Sequence, residues 1–299
     1  MITALTLLAA LLLDRLLGDP RRFHPLAGFG RLALWLETRL HGDARRRGIV
    51  ALLLAVTPFV LMALLLEQFG TAALPLQVVV LYFTLGATSL AQHGQAVAQA
   101  LASGDLLLAQ TKVGWMVSRD AAQLDAPGVA RAACESVLEN GNDAIFGAIF
   151  WFVLLGLPGA VLYRLVNTLD AMWGYRTPRY YRFGWAAARL DDLLNWLPAR
   201  LTALSYALLG DAPRALRCWR EQAHQLESPN GGPVMSAGAG ALALTLGGPA
   251  CYHGALKQKP WIGAGPAPQA ADIGRAIRLV QYTLLLWLAL ILIGGFLVG

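Results

Sequence analysis

The sequence predicts an all-α fold, a polytopic membrane helical bundle with cytoplasmic loop helices and a re-entrant hairpin at 144–166. Three observations lead there. Of 299 residues, 57% are hydrophobic and only 14% charged, whereas a soluble domain carries about 25% charge. Several apolar runs approach the ~20 residues that cross a bilayer as a helix. Arginines gather in the stretches between those runs. In lipid each span has to satisfy its own backbone hydrogen bonds, which a helix does.

Residues 2–17 form the first span, apolar except for Asp14 and Arg15. They lack a basic leader and a small-residue cleavage site, and so read as a retained span rather than a signal peptide. The loop 18–48 follows, with Arg21, Arg22, Arg31, Arg39 and the run Arg45–Arg47. Residues 49–66 are an uncharged span, and 74–90 the next, after a short turn with Gly70 and Pro75. A polar loop occupies 91–143. Residues 144–166 are apolar, but Gly156, Pro158 and Gly159 interrupt them. Each half is then about 12 residues, so a hairpin that enters and returns competes with one kinked span. Polar loops at 167–200 and 210–278 enclose two weaker apolar stretches, 201–209 and 234–246. There Gly238, Gly240 and Ala241 suit close helix packing. A phosphate loop is the sharper alternative, but G-x-x-x-x-G-K-[ST] is nowhere in the chain. Residues 279–298 are the last span, and the whole reads as one integral membrane domain.

Basic residues set orientation. The arginine-rich loop 18–48 belongs on the cytoplasmic side and places both termini outside. The segment 164–200 carries six arginines and wants the same side, which favours the hairpin over the kinked span. The net charge of +6 and pI near 9.5 raise nucleic acid as a partner. The basic residues are nonetheless dispersed among apolar runs rather than ordered along one stripe, and this argues against it. Cys134, Cys218 and Cys251 lie far apart without metal-ligand spacing, and read as small buried residues.

The polar loops hold the candidate chemistry. Asp19 and His24 sit among Gly18, Pro20 and Pro25, where turn formation alone would explain them. Arg131, Glu135, Glu139 and Asp143 recur every four residues, one charged stripe on a helix. Its carboxylates repel, so solvent, arginines from elsewhere or a divalent cation should offset them. Arg119-Asp120 offers a phosphate fork beside a second carboxylate. Asn167 and Asp170 follow the apolar hairpin, where polar groups are costly and usually functional. Arg189 pairs naturally with Asp192, and Asp191 with Asn195; an interfacial helix with internal ion pairs would show the same pattern. Ser228-Pro229-Asn230-Gly231-Gly232-Pro233 can form an anion-binding nest or only a loop. His93, His224 and His253 stand singly and receive no role.

Taken together, seven ordered blocks resemble the CobD/CbiB family of cobalamin biosynthesis. They are D-R-L-L-G-D-P with H-P (14–25), S-R-D (118–120), E-S-V-L-E-N (135–140), N-T-L-D-A-M-W-G-Y (167–175), the run from Phe183 to Ala203, S-P-N-G-G-P (228–233) and Y-H-G (252–254). The resemblance implies an ATP-dependent ligase joining adenosylcobyric acid to (R)-1-amino-2-propanol O-phosphate, with Mg²⁺. It implies an inner-membrane enzyme facing the cytoplasm. Partners would be the lipid bilayer, the corrinoid, aminopropanol phosphate, neighbouring cobalamin-biosynthesis enzymes and a second copy of the chain. Its catalytic residues would be drawn from Asp19, Glu135, Glu139, Asp170, Asp191 and Asp192, with Glu135, Glu139, Asp143 and Asp191 as Mg²⁺ candidates. Substrate and phosphate contacts fall to His24, Arg119, Asn140, Asn167, Tyr175, Arg189, Asn195, Arg200, Ser228 and Asn230. A corrinoid or peptide transporter or sensor is the alternative. Against it, the spans 49–66 and 74–90 carry no charge, whereas transporters place ionisable groups at mid-membrane.

Overall fold

The computed structural model describes residues 1–20, 24–252 and 254–298, the last by its backbone; Arg21, Arg22 and His253 lie outside the described residues. Helices are numbered along the chain as α1 (Ile2–Leu17), α2 (Pro25–Leu40), α3 (Arg45–Gln68), α4 (Leu74–Tyr82), α5 (Ala87–Ala102) and α6 (Leu106–Val113). There follow α7 (Ala126–Gly141), α8 (Gly147–Trp173), α9 (Trp185–Leu209), α10 (Ala212–Gln222), α11 (Gly231–Leu242) and α12 (Ala270–Val298). Among the described residues, four helical stretches are long and apolar enough to cross a membrane: Arg45–Gln68, Gly70–Ala102, Ala126–Trp173 and Ala270–Leu297. They fit a multi-pass membrane protein. The residues divide into two compact units.

The first unit comprises Met1–Ala87, Asp143–Asn195 and the residues from Leu290. Pro25, expected to hold a turn, instead occupies the first position of α2, where its missing N–H costs nothing. His24 caps that helix, its Nδ1 accepting from the Leu26 N–H at 3.2 Å. On α3, Leu61, Met62, Leu64 and Leu65 stand exposed, as a lipid-facing surface requires. The run expected as one span at 74–90 is interrupted. The chain leaves helix after Tyr82 and resumes it at Ala87, while the Gly86 N–H donates to the Ala144 carbonyl at 3.1 Å.

The segment 144–166 does fold back. Gly156 takes φ 68°, ψ −157° inside α8, a region open essentially to glycine alone. Beyond it the two limbs turn together, so that a Cβ on Gly147 would collide with the Tyr163 ring. In an unbroken helix those residues would lie about 24 Å apart. The break frees backbone donors, and Glu67 at the end of α3 answers one, its Oε1 accepting from the Leu157 N–H at 2.7 Å. A side chain at Gly156 would run into that carboxylate. Gly156→Ala should therefore cost about 1–3 kcal/mol from backbone conformation alone, read as a lower melting temperature in detergent.

The two arginine-rich segments of this unit meet. Arg179 pairs with buried Glu37 at 2.7 Å. The Arg179 carbonyl lies 2.9 Å from His41 Nε2, and Gly48 leaves no room for a Cβ beneath the Phe183 carbonyl.

The second unit comprises Thr88–Asn142 and Trp196–Ala289. All of α11 is buried. Its small residues do what close packing asks: a Cβ on Gly240 would stand 2.7 Å from Ala215 Cα in α10, and one on Gly238 2.8 Å from Leu138 in α7. Between α11 and α12 the chain forms two antiparallel ribbons that periodicity did not predict. β1 (Thr245–Gly247) pairs with β4 (Trp261–Gly263), and β2 (Ala250–Tyr252) with β3 (Ala255–Lys257). Each strand is 3 residues long, too short for an alternating pattern to register.

Candidate active site

The candidate residues gather in three places. In the first unit, α9 presents Asp191 on a part-buried chain of side chains. Asn167 of α8 donates to Asp191 Oδ1 at 3.2 Å, and Asn195 donates to Oδ2 at 3.0 Å. Tyr163, absent from the sequence-level candidates, donates in turn to Asn195 Oδ1 at 2.8 Å. Both Asp191 oxygens thus rest on neutral amides. Burial pushes its carboxyl from 3.8 up to about 6, and Asp192 next to it adds to the rise against the pull of the two amides. Asp192 is raised too, by burial, with Arg189 and Arg176 opposing. Its partner is the predicted one, Arg189 at 3.2 Å.

Near the start of α2 stands a second group. Asp19 Oδ1 lies 3.8 Å from His24 Nε2. Burial lowers the His24 pKa, Asp19 raises it and Arg164 lowers it further, with a net fall. A neutral imidazole also suits Nδ1 as the acceptor at the helix cap. Arg164 stands within electrostatic reach of Asp19 and Asp143. Asp170 sits in the last turn of α8, its carboxylate filling the place of a Cβ on Gly174. Tyr175 is exposed beyond it, its ring 6.4 Å from Tyr180.

The second unit holds the third group. Glu135 is buried and paired with Arg119, and its Oε1 accepts from the Gly247 N–H at 2.6 Å. Glu139, one turn on, stands within electrostatic reach of Lys259 and Arg119. Basic groups from elsewhere therefore offset these two carboxylates. Arg131 does not join them, lying 4.6 Å over the Trp261 ring. Residues 142–146 form a π-helical turn, which carries Asp143 into the first unit. Asp120 accepts from the Gly254 N–H at 2.8 Å, tying this loop to the β2–β3 ribbon. Asn140 is engaged by Ser136 of its own helix. Ser228 Oγ accepts from the Gly231 N–H at 2.9 Å and its carbonyl from Gly232, so S-P-N-G-G-P opens α11 as a cap. Arg200 stacks 4.4 Å over Trp196 and donates to Asn230 Oδ1 at 3.2 Å. Cys134 and Cys218 are buried as expected; Cys251 is only half so.

Among the carboxylates expected to hold a metal, Asp191 rests on amides rather than on a cation, whereas Glu135 is paired with Arg119. Among the described residues no three His, Cys, Asp or Glu side chains gather as a metal cage. A Mg²⁺ bound with the substrates would take most of its shell from phosphate and water, as that ion commonly does.

The family model described as CobD/Cbib protein matches residues 7–280. The "Cobalamin biosynthesis protein CobD" of Chromobacterium violaceum is 56% identical, covering 99% of this chain and 98% of its own length. The protein so named from Stutzerimonas stutzeri is 56% identical over 98% of both chains. That of Mycobacterium tuberculosis is 42% identical over 93% of this chain and 92% of its own. No solved structure matches. With a family model spanning nearly its whole length and such relatives, the chain belongs to the CobD/CbiB family of cobalamin biosynthesis.

Proposed function

We propose that this chain is an ATP-dependent amide ligase. It joins the carboxylate of adenosylcobyric acid to the amine of (R)-1-amino-2-propanol O-phosphate and yields adenosylcobinamide phosphate. The observation that carries the reading is the Asp191 carboxyl, held by Asn167 and Asn195 and drawn up to about 6. Amide formation from an ammonium needs a base to take its proton, and a carboxylate serves best when its pKa approaches the working pH. ATP would supply the phosphoryl group that activates the acid, and Mg²⁺ would shield the phosphate charges.

The remaining roles follow from what each side chain can do. Asp191 takes the ammonium proton, and Asp192 holds Arg189 at the edge of the first group. Arg189, with its planar fork, receives a phosphate. In the second unit Arg200, set against Asn230, is available for a phosphate or a propionate. Glu135 and Arg119 hold each other and the Gly247 backbone, which makes them positioning residues. Neutral His24 can donate from Nε2 to an anionic oxygen. The enzyme sits in the inner membrane with these residues towards the cytoplasm, the side that supplies ATP and receives the arginine-rich loops.

A transport or sensing reading draws on one observation, the break in α8 at Gly156. Detergent-purified protein incubated with adenosylcobyric acid, aminopropanol phosphate and Mg-ATP separates the two. The expected result, by mass spectrometry, is an amide product that requires every component. Monodisperse, corrinoid-binding protein that forms no product would replace the ligase with a transporter or sensor.

A further inference from the structure

The arginines around the start of α3 are not used by the proposed chemistry, and they form one surface. Arg182 Nε lies 3.4 Å from Asp43, and the Arg45 guanidinium stands 4.8 Å over the Trp185 ring. Arg47 donates to the His41 carbonyl at 3.1 Å, and the Arg179 carbonyl meets the same histidine. The 37–48 and 179–185 segments are therefore joined side by side. Arg39, Arg45, Arg46, Arg47, Arg179 and Arg182 stand exposed there, against only Glu37 and Asp43.

The depth of this surface follows from the chain. Arg45–Arg47 are the first residues of α3, and one turn later Ile49, Val50, Leu53 and Leu54 are exposed. A face of that kind needs hydrocarbon around it, so the guanidinium groups just before it lie at headgroup level. Exposed Trp35, with Arg39 5.6 Å from its ring, and exposed Tyr181 border the patch, and such rings favour the membrane interface. Guanidinium forks match phosphate oxygens, and basic residues beside a span attract anionic lipid.

We propose that this surface binds anionic phospholipid, with the phosphodiester headgroups seated among Arg45, Arg46, Arg47 and Arg182 and the acyl chains along the start of α3. The patch uses none of the side chains given a chemical role, so the proposal survives or falls independently of the ligase reading. The test is native mass spectrometry of the full-length protein in detergent, titrated with phosphatidylglycerol or phosphatidylcholine. The wild type should retain phosphatidylglycerol preferentially. The triple variant Arg46→Gln, Arg47→Gln, Arg182→Gln should weaken that binding about fivefold for each guanidinium removed. The pair Arg217→Gln, Arg220→Gln on α10 should leave it unchanged. If the triple variant does not fold, Arg46→Gln alone should still show about one such step, and no loss there overturns the proposal. Equal retention of the two lipids by the wild type would also overturn it, as would an equal loss in the α10 pair. Displacement of the lipid by excess inorganic phosphate would reassign the arginines to a soluble anion.

Discussion

Asp191→Asn is expected to slow amide formation at least about a hundredfold, the usual lower bound for removing a positioned base, while changing how stability depends on pH. The carboxyl titrates at 3.8 when unfolded and about 6 when folded. Its neutral form is thus favoured in the native protein. That contribution is fully present below 3.8, fades as pH rises through 6, and above this the fold carries a buried charge. The shift corresponds to about 3 kcal/mol between the two limits. Melting curves in detergent from pH 4 to 8 should show the variant losing less stability than the wild type as pH rises. Part of the gain is forfeited, because an amide at this position faces a second amide donor from Asn167 or Asn195. A variant that stayed active, or whose melting temperature tracked the wild type at every pH, would remove Asp191 from the mechanism.

The largest stability effect is expected at Arg119. Its guanidinium and the Glu135 carboxylate are about nine-tenths buried, at 10% and 8% side-chain exposure. Arg119→Ala leaves that carboxylate to the Gly247 N–H, without its ion-pair partner. Stranding a charge in this way costs about 3–5 kcal/mol, which for a chain of this size is a fall of about 10 °C in melting temperature. Replacing both residues with Met should recover much of the loss, since the desolvation penalty then disappears with the pair. If Arg119→Ala instead left the melting curve in place and raised only the KM for the phosphorylated amine, Arg119 would be a substrate contact.

What could be read from the sequence was what repeats locally. Uncharged runs marked α3, the 70–102 stretch and α12. Gly156, Pro158 and Gly159, weighed with the arginines on either side of them, pointed to the fold-back in α8. The pairs Arg189–Asp192 and Asp191–Asn195 were legible because helical spacing alone brings them together. Contacts between distant segments were not. Nothing in the composition joins Glu67 to Leu157, Asn167 to Asp191, Tyr163 to Asn195 or Arg119 to Glu135, since each depends on tertiary packing. The π-turn at 142–146 is a similar case, since ordinary helical periodicity gives no sign of where it begins. The short ribbons escaped because glycine turns and strands of 3 residues leave no period to detect.

The capped elbow of α8 bears on how the protein is made. As a straight helix its 27 residues would reach about 40 Å, ample to traverse a bilayer, and during synthesis the insertion machinery meets it as one such candidate. Under the proposed orientation, traversing would carry Arg176, Arg179 and Arg182 to the side opposite the arginine-rich 18–48 loop. The bent form needs its partner in advance, and α3, which bears Glu67, leaves the ribosome well before α8. Chain order thus lets the earlier helix act as a mould for the later one. An error in placing α3 would propagate to the topology of everything that follows.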